Sequence, residues 1–69
     1  MANTINRQQL ITDLIDNGFE RDRRFWNNGC IVFIKVNNGH IDEAWEINEN
    51  SALHFKYGYH LGPIEYKLA

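Results

Sequence analysis

Four apolar residues near the start of the chain recur at helical spacing and would form one stripe along a helix. The stripe consists of Leu10, Ile11, Leu14 and Ile15. Asn6 is a suitable N-cap, and Gln9 three residues later completes a capping box. Gly18 suits the left-handed position that ends a helix, and Phe19 can then fold back onto the last turn. The sequence therefore predicts a helix over residues 7–17.

Beyond this helix the apolar pattern changes to a period of two, which predicts strands. Asn-Gly, the residue pair that best fits a two-residue type I′ hairpin turn, occurs at 28–29 and at 38–39. A three-residue loop at 49–51 and a turn at 62–63 would separate the remaining strands. The expected strands are residues 20–26, 30–36, 40–48, 52–61 and 64–68.

These turns set the pairing register and bring apolar residues together on one face of the sheet. The turn at 38–39 places Val32 opposite Trp45, and the loop at 49–51 places Trp45 opposite Phe55. We expect this face to lie against the helix. The sequence thus predicts an α+β fold in a single domain over residues 1–69. One N-terminal amphipathic helix would pack on a curved antiparallel β-meander of four to five strands.

The composition is that of a folded small domain and not of a disordered chain, because 43% of the 69 residues are hydrophobic. The net charge of −2 does not favour nucleic acid as a partner, since nucleic-acid-binding domains are usually basic. Cys30 is the only cysteine, so we expect no internal disulfide and a reducing, cytoplasmic location. No stretch is apolar and long enough to predict a membrane span.

On the same registers, the second face of the sheet has no helix to cover it. It carries an aromatic, aliphatic and charged cluster, which is the candidate partner-binding site. The cluster consists of Arg24, Trp26, Ile31, Phe33, Lys35 and Glu46. Exposed apolar clusters rimmed by charge often mark interaction sites, and Trp and Arg are enriched in binding hot spots. The alternative is ordinary packing, with Trp26 over Ile31 and Lys or Arg stems over Phe33.

The sequence contains no motif typical of catalysis or of cofactor binding. His40, Asp42 and His60 could lie close together, but they lack the spacing of a metal-binding motif, so no metal is expected. Cys30 begins a strand on the apolar face, where a cysteine usually acts as a small hydrophobic residue. We predict no catalytic residue and no cofactor.

The first half of the chain resembles HicA-type toxins, which are small ribonucleases with a fold like that of double-stranded-RNA-binding domains. The resemblance rests on a helix ending in Asn17-Gly18-Phe19, followed by a basic strand and a hairpin. The Gly-Ser-His of that family corresponds to Asn28-Gly29-Cys30, which has no histidine. Gly62-Pro63 and a strand-like tail replace the C-terminal helix of the family. The resemblance therefore does not imply ribonuclease activity for this chain.

The function that these observations favour is a small non-catalytic protein-binding module. Its size and character are those of phage-type inhibitors, including anti-CRISPR-like proteins, which is an analogy of class alone. The partner would be another protein or a second copy of the chain. The alternative is a single-stranded nucleic-acid-binding protein that uses Arg24, Trp26 and Phe33, because aromatic residues on a sheet can stack on bases.

Overall fold

The computed structural model describes residues 4–23, 30–57 and 62–69. This part of the chain contains one helix and six strands. They are β1 (Thr4–Ile5), α1 (Arg7–Asp16), β2 (Glu20–Arg21), β3 (Ile31–Asn37), β4 (His40–Ile47), β5 (Ser51–Lys56) and β6 (Pro63–Leu68). The strands form one sheet in the order β1-β6-β5-β4-β3-β2. The pair β1 and β6 is parallel, and the other pairs are antiparallel.

The α+β class is confirmed, but the sheet is larger than predicted and mixed. The prediction of four to five antiparallel strands is not exact, because the sheet has six strands and the pair β1 and β6 is parallel. The helix is not the first element of the chain, because β1 precedes it. Ile5 lies beside Leu68, and the backbone N–H of Ala69 donates to the carbonyl of Ile5 at 2.9 Å. A strand of two residues has too little periodicity to be recognised in a sequence.

Both ends of α1 are closed by the predicted residues. The side-chain oxygen of Asn6 accepts a hydrogen bond from the backbone N–H of Gln9 at 2.9 Å. At the other end Gly18 has φ +87°, and the N–H of Phe19 donates to the carbonyl of Leu14 at 3.0 Å. This is the Schellman bond expected from the sequence. The helix ends at Asp16, one residue before the predicted end.

The helix connects the two opposite edges of the sheet. β1 leaves the sheet beside Leu68 of β6, and β2 re-enters it opposite Ile34 of β3. The helix therefore crosses one face diagonally, and it covers the corner where β3, β4 and β5 present Phe33, Ile47 and Ala52. It has 10 residues, and no helix in the described part of the chain is long and apolar enough to cross a bilayer.

The hairpin of β3 and β4 has the predicted turn but a different register. Asn38 and Gly39 have φ of +52° and +79°, as a type I′ turn requires, and Val36 faces Ile41. The register then shifts, because Asp42 is an extra residue in β4 and Lys35 faces Glu43. This β-bulge moves every later pair by one residue. Because side chains alternate between the faces, the bulge reverses the predicted faces of β3 relative to β4.

The loop between β4 and β5 has two residues and not the predicted three. Ile47 faces Ala52, and the N–H of Asn48 donates to the carbonyl of Ser51 at 2.8 Å. The register of β5 is therefore one residue away from the prediction. Consequently the predicted pairing of Trp45 with Phe55 is wrong, and Trp45 faces His54.

The first and last predicted hairpins also differ. The predicted strand 52–61 ends at Lys56, and residues 58–61 lie outside the described residues. The predicted pairing across a turn at 62–63 is wrong, because Pro63 already belongs to β6 and faces Phe55. The predicted strand 20–26 is described only as β2, and the turn expected at 28–29 falls outside the described residues.

Each face of the sheet carries its own apolar cluster. On the helix side, the buried members are Leu10, Leu14, Phe19, Phe33, Ile47 and Ala52. On the other side they are Val32, Ile34, Ala44 and Phe55, with Cys30, Ile41 and Leu53 packed against them. Val32 and Ala44 are 2% and 0% exposed. The expectation that the face opposite the helix is uncovered is therefore wrong at the centre of that face.

Candidate functional site

Three of the six residues predicted to bind a partner lie on the helix side of the sheet. Phe33 belongs to the cluster beneath α1 and is 5% exposed, and Ile31 packs against the same cluster. Lys35 has its Nζ atom 5.5 Å from the centre of the Phe19 ring. Their predicted position on the uncovered face is wrong, because the bulge pairs Phe33 with Trp45.

The other three predicted residues do not join them. Glu46 lies on the face away from the helix, where burial and the charge of Glu46 together raise the pKa of the Cys30 thiol. Arg24 and Trp26 fall outside the described residues. The sheet thus separates Glu46 from Phe33, and the described residues do not assemble the predicted site.

A different group of functional side chains shares the helix-side face at the corner that α1 leaves uncovered. We call this group the corner patch. It consists of Glu43 and Trp45 on β4, His54 on β5, and Ile64 and Tyr66 on β6. In register, His54 lies between Trp45 and Ile64. Ile64 is 49% exposed, whereas Trp45 and Tyr66 are half-buried.

An imidazole and a carboxylate are joined at the centre of the corner patch. His54 Nε2 lies 2.9 Å from Glu43 Oε2, and the two side chains are 10% and 32% exposed. A carboxylate can only accept, so His54 Nε2–H donates, and in a neutral ring the other nitrogen is then an acceptor. Because Glu43 is partly solvated, the bond contributes about 1 kcal/mol to stability.

The His54 ring is also held by aromatic stacking. Its centroid lies 4.2 Å from that of Trp45, with an angle of 11° between the planes. The ring of Tyr66 stacks on Trp45 at 5.6 Å and 29°. Such aromatic pairs contribute about 0.5–1.5 kcal/mol beyond their burial. Three neighbouring strands therefore hold one aromatic row, whose side chains are ordered before any partner arrives.

A shallow, open depression adjoins the corner patch. It is lined by Asp42, Glu43, Lys56 and Tyr57. Two irregularities of the backbone meet there, since Asp42 is the bulge residue and Tyr57 has φ +55°. A non-glycine residue with positive φ is uncommon and carries strain.

The pairing of Glu43 with His54 resembles the base and its orienting group in nucleophilic catalysis, but neither the cysteine nor the serine of the chain lies beside it. Cys30 packs in the cluster on the opposite face. Ser51, the only serine of the chain, is three positions before His54 in β5, so its side chain points to the other face. Nor does any group of three or more His, Cys, Asp or Glu side chains in the described ranges have the proximity to hold a metal ion.

Comparisons of the chain with protein-family models, with curated proteins and with solved structures found no match.

The sequence contained one signal that would have found the aromatic row. Glu49-Asn50 is a polar pair that can form a two-residue loop, and a loop of that length pairs Trp45 with His54. A three-residue loop instead pairs Trp45 with Phe55, which gives a more apolar match. Tyr66 could not be added from the sequence, because its position depends on where β6 begins.

Proposed function

We propose that this protein is a small non-catalytic binding module that contacts another protein through the corner patch. An inhibitor that occupies the surface of its target, of the phage type suggested by size and composition, is the form of this function that we favour. The observation that carries the proposal is the incomplete cover of one sheet face. The helix covers Phe33, whereas Trp45, which packs against the same cluster, is only half-buried, and Ile64 is 49% exposed.

The residue types and their order support protein binding. Trp and Tyr are among the residues most enriched in binding hot spots. Trp45 and Tyr66 are stacked on each other, so binding would immobilise few additional rotatable bonds. Ile64 adds an apolar side chain that is 49% exposed in the free protein and would be desolvated by a partner.

The same observations make nucleic acid the weaker candidate. The predicted base-stacking residue Phe33 is buried beneath the helix and has no face to offer to a base. At least one face of Trp45 is already covered by His54. A nucleic-acid-binding function would have to be argued from Arg24 and Trp26 alone, and both lie outside the described residues.

The test compares two aspartate substitutions at apolar side chains of equal exposure. Ile64→Asp changes the corner patch, and Val36→Asp changes a residue that is 50% exposed near the β3–β4 turn. Both variants should keep the wild-type circular dichroism spectrum. Sedimentation of the wild type first establishes whether the partner is a second copy, in which case Ile64→Asp should convert a dimer to a monomer.

If the wild type is a monomer, the three proteins are used as baits in extracts of the native host, and the retained protein is then purified and titrated. The proposal expects binding to survive Val36→Asp and to fall at least about tenfold with Ile64→Asp. Equal binding by both variants would place the interface elsewhere. Retention of single-stranded oligonucleotides, with an affinity that falls steeply with salt, would favour the nucleic-acid alternative.

A further inference from the structure

The depression beside the corner patch exposes hydrogen-bond acceptors that the described part of the fold leaves unused. Glu43 Oε2 accepts from His54, whereas its second oxygen has no partner among the described residues. The carboxylate of Asp42 likewise has no hydrogen bond or ion pair to a described residue. Ionised carboxylates accept hydrogen bonds and cannot donate them. The depression therefore fits a group that is rich in donors.

The position of Glu43 is fixed by its neighbours, which matters for recognition. The bond to His54 holds one oxygen in place, and the stack on Trp45 holds the His54 ring. The bulge at Asp42 is what turns Glu43 to this side of the sheet. Bulges often re-aim a side chain in this way next to a functional site.

Charge and aromatic character favour a cation with a planar face. Asp42 and Glu43 carry two negative charges, and Lys56 carries one positive charge, so the lining residues have a net charge of −1. Tyr57 lines the same depression and is 64% exposed. Tyrosine rings attract cations through the negative face of the ring, and guanidinium groups stack on them.

We propose that the depression receives the side chain of an arginine on the protein partner. Asp42 and the free oxygen of Glu43 would accept guanidinium N–H groups, and Tyr57 would cover the guanidinium plane. Arginine has five donors in a planar fork and no acceptor, which matches two carboxylates, of which that of Glu43 is held in place, and an aromatic residue. This inference rests on the proposed function, since it names the chemistry of the partner that contacts the corner patch.

The test is a titration of the ¹⁵N-labelled protein with N-acetylarginine methylamide at millimolar concentration. N-acetylcitrulline methylamide, which has the same shape without the charge, is the control ligand. Binding should shift the amide signals of Asp42, Glu43, Lys56 and Tyr57 in a saturable way, and citrulline should leave them unchanged. Asp42→Asn should weaken binding about threefold to fivefold, and Lys56→Gln should strengthen it, because it removes the one positive charge of the lining.

The matched control variant is Asp16→Asn, which removes the same charge from an exposed position at the end of α1. Equal weakening by Asp16→Asn and Asp42→Asn would overturn the inference, because the arginine would then respond only to the overall charge. Equal shifts with citrulline would also overturn it. If the arginine probe fails while Ile64→Asp still releases the partner, the inference is wrong and the binding-module proposal stands. If the probe binds but Ile64→Asp has no effect on the partner, the depression binds a guanidinium group, whereas the interface proposed at the corner patch is wrong, and with it the assignment of the arginine to a partner bound there.

Discussion

Replacement of Phe33 by alanine should destabilise the protein by about 3–5 kcal/mol. The side chain belongs to the cluster between α1 and the sheet, together with Leu14 and Ile47, and it lies opposite Trp45 in register. Truncation removes the transfer free energy of the ring and leaves a cavity beneath the helix. Because β1 and β2 attach the two ends of the helix to opposite edges of the sheet, the helix can close that cavity only in part. A domain of this length is stable by on the order of 5 kcal/mol, so most of its stability would be lost.

Urea unfolding followed by circular dichroism measures this loss. Val36→Ala is the control on the same strand, and it should cost less than about 0.5 kcal/mol because Val36 is 50% exposed. Phe33→Leu keeps part of the volume and should remain measurably folded if the alanine variant does not. A loss below about 1 kcal/mol for Phe33→Ala would refute the reasoning. It would mean that Phe33 lies on the surface and that the register of β3 and β4 has no bulge.

Three further results are expected. Gly39→Val should cost about 1–2 kcal/mol in the same assay, because φ is +79° there; the added Cβ meets no atom within 4 Å, so the cost comes from the backbone conformation and not from a clash. A melting temperature equal to that of the wild type would contradict the type I′ turn. Arg7→Met should raise the melting temperature, since it removes a buried Nε that has no hydrogen-bond partner among the described residues and a cation from the first turn of the helix. A lower melting temperature would show that the guanidinium is stabilising. Alkylation of Cys30 by iodoacetamide at mildly alkaline pH should be slower than that of a free cysteine and faster in Glu46→Gln, because burial and the Glu46 charge raise the pKa of the thiol; a rate unaffected by the substitution would remove Glu46 as a cause.

The features that the sequence predicted correctly depend on residues that are neighbours along the chain. The cap at Asn6 and the closing Gly18 act within one turn of the helix, so their residue types are sufficient evidence. The same holds for Asn38 and Gly39, which both have the positive φ of their turn. Local rules of this kind need no knowledge of the rest of the fold.

The faces of the sheet could not be predicted in the same way, because β3 carries no alternation that would report them. Ile31, Val32, Phe33 and Ile34 are four consecutive apolar residues. The strand buries Val32 and Ile34 on one face and Phe33 on the other, so either assignment of the faces looks equally apolar. The extra residue Asp42 in β4 then determines that Phe33, and not Val32, lies opposite Trp45. The corner patch was missed for this reason and because the 49–51 loop is shorter than predicted.

The edges of the sheet limit how a partner can bind. The N–H of Leu68 donates to Asn50 on the β5 side, and the N–H of Ala69 donates to β1, so the odd-numbered residues of β6 turn their backbone groups outward. Two of these odd-numbered residues, Pro63 and Glu65, come before the part of β6 that pairs with β1. Pro63 has no N–H to donate, and Glu65 is charged and exposed. Prolines, charges and very short strands are the devices by which sheets prevent the addition of a further strand.

The opposite edge is protected in the same manner, since β2 consists of the two charged and exposed residues Glu20 and Arg21. Recognition by strand addition therefore has little backbone to use at either edge of the described sheet. A partner would therefore have to contact side chains on one face of the sheet. On the face away from the helix, the central residues Val32 and Ala44 are already buried. The corner patch is the part of the described sheet that combines aromatic side chains, a fixed hydrogen-bonded pair and an exposed apolar residue, and substitution of that residue, Ile64, should separate binding from folding.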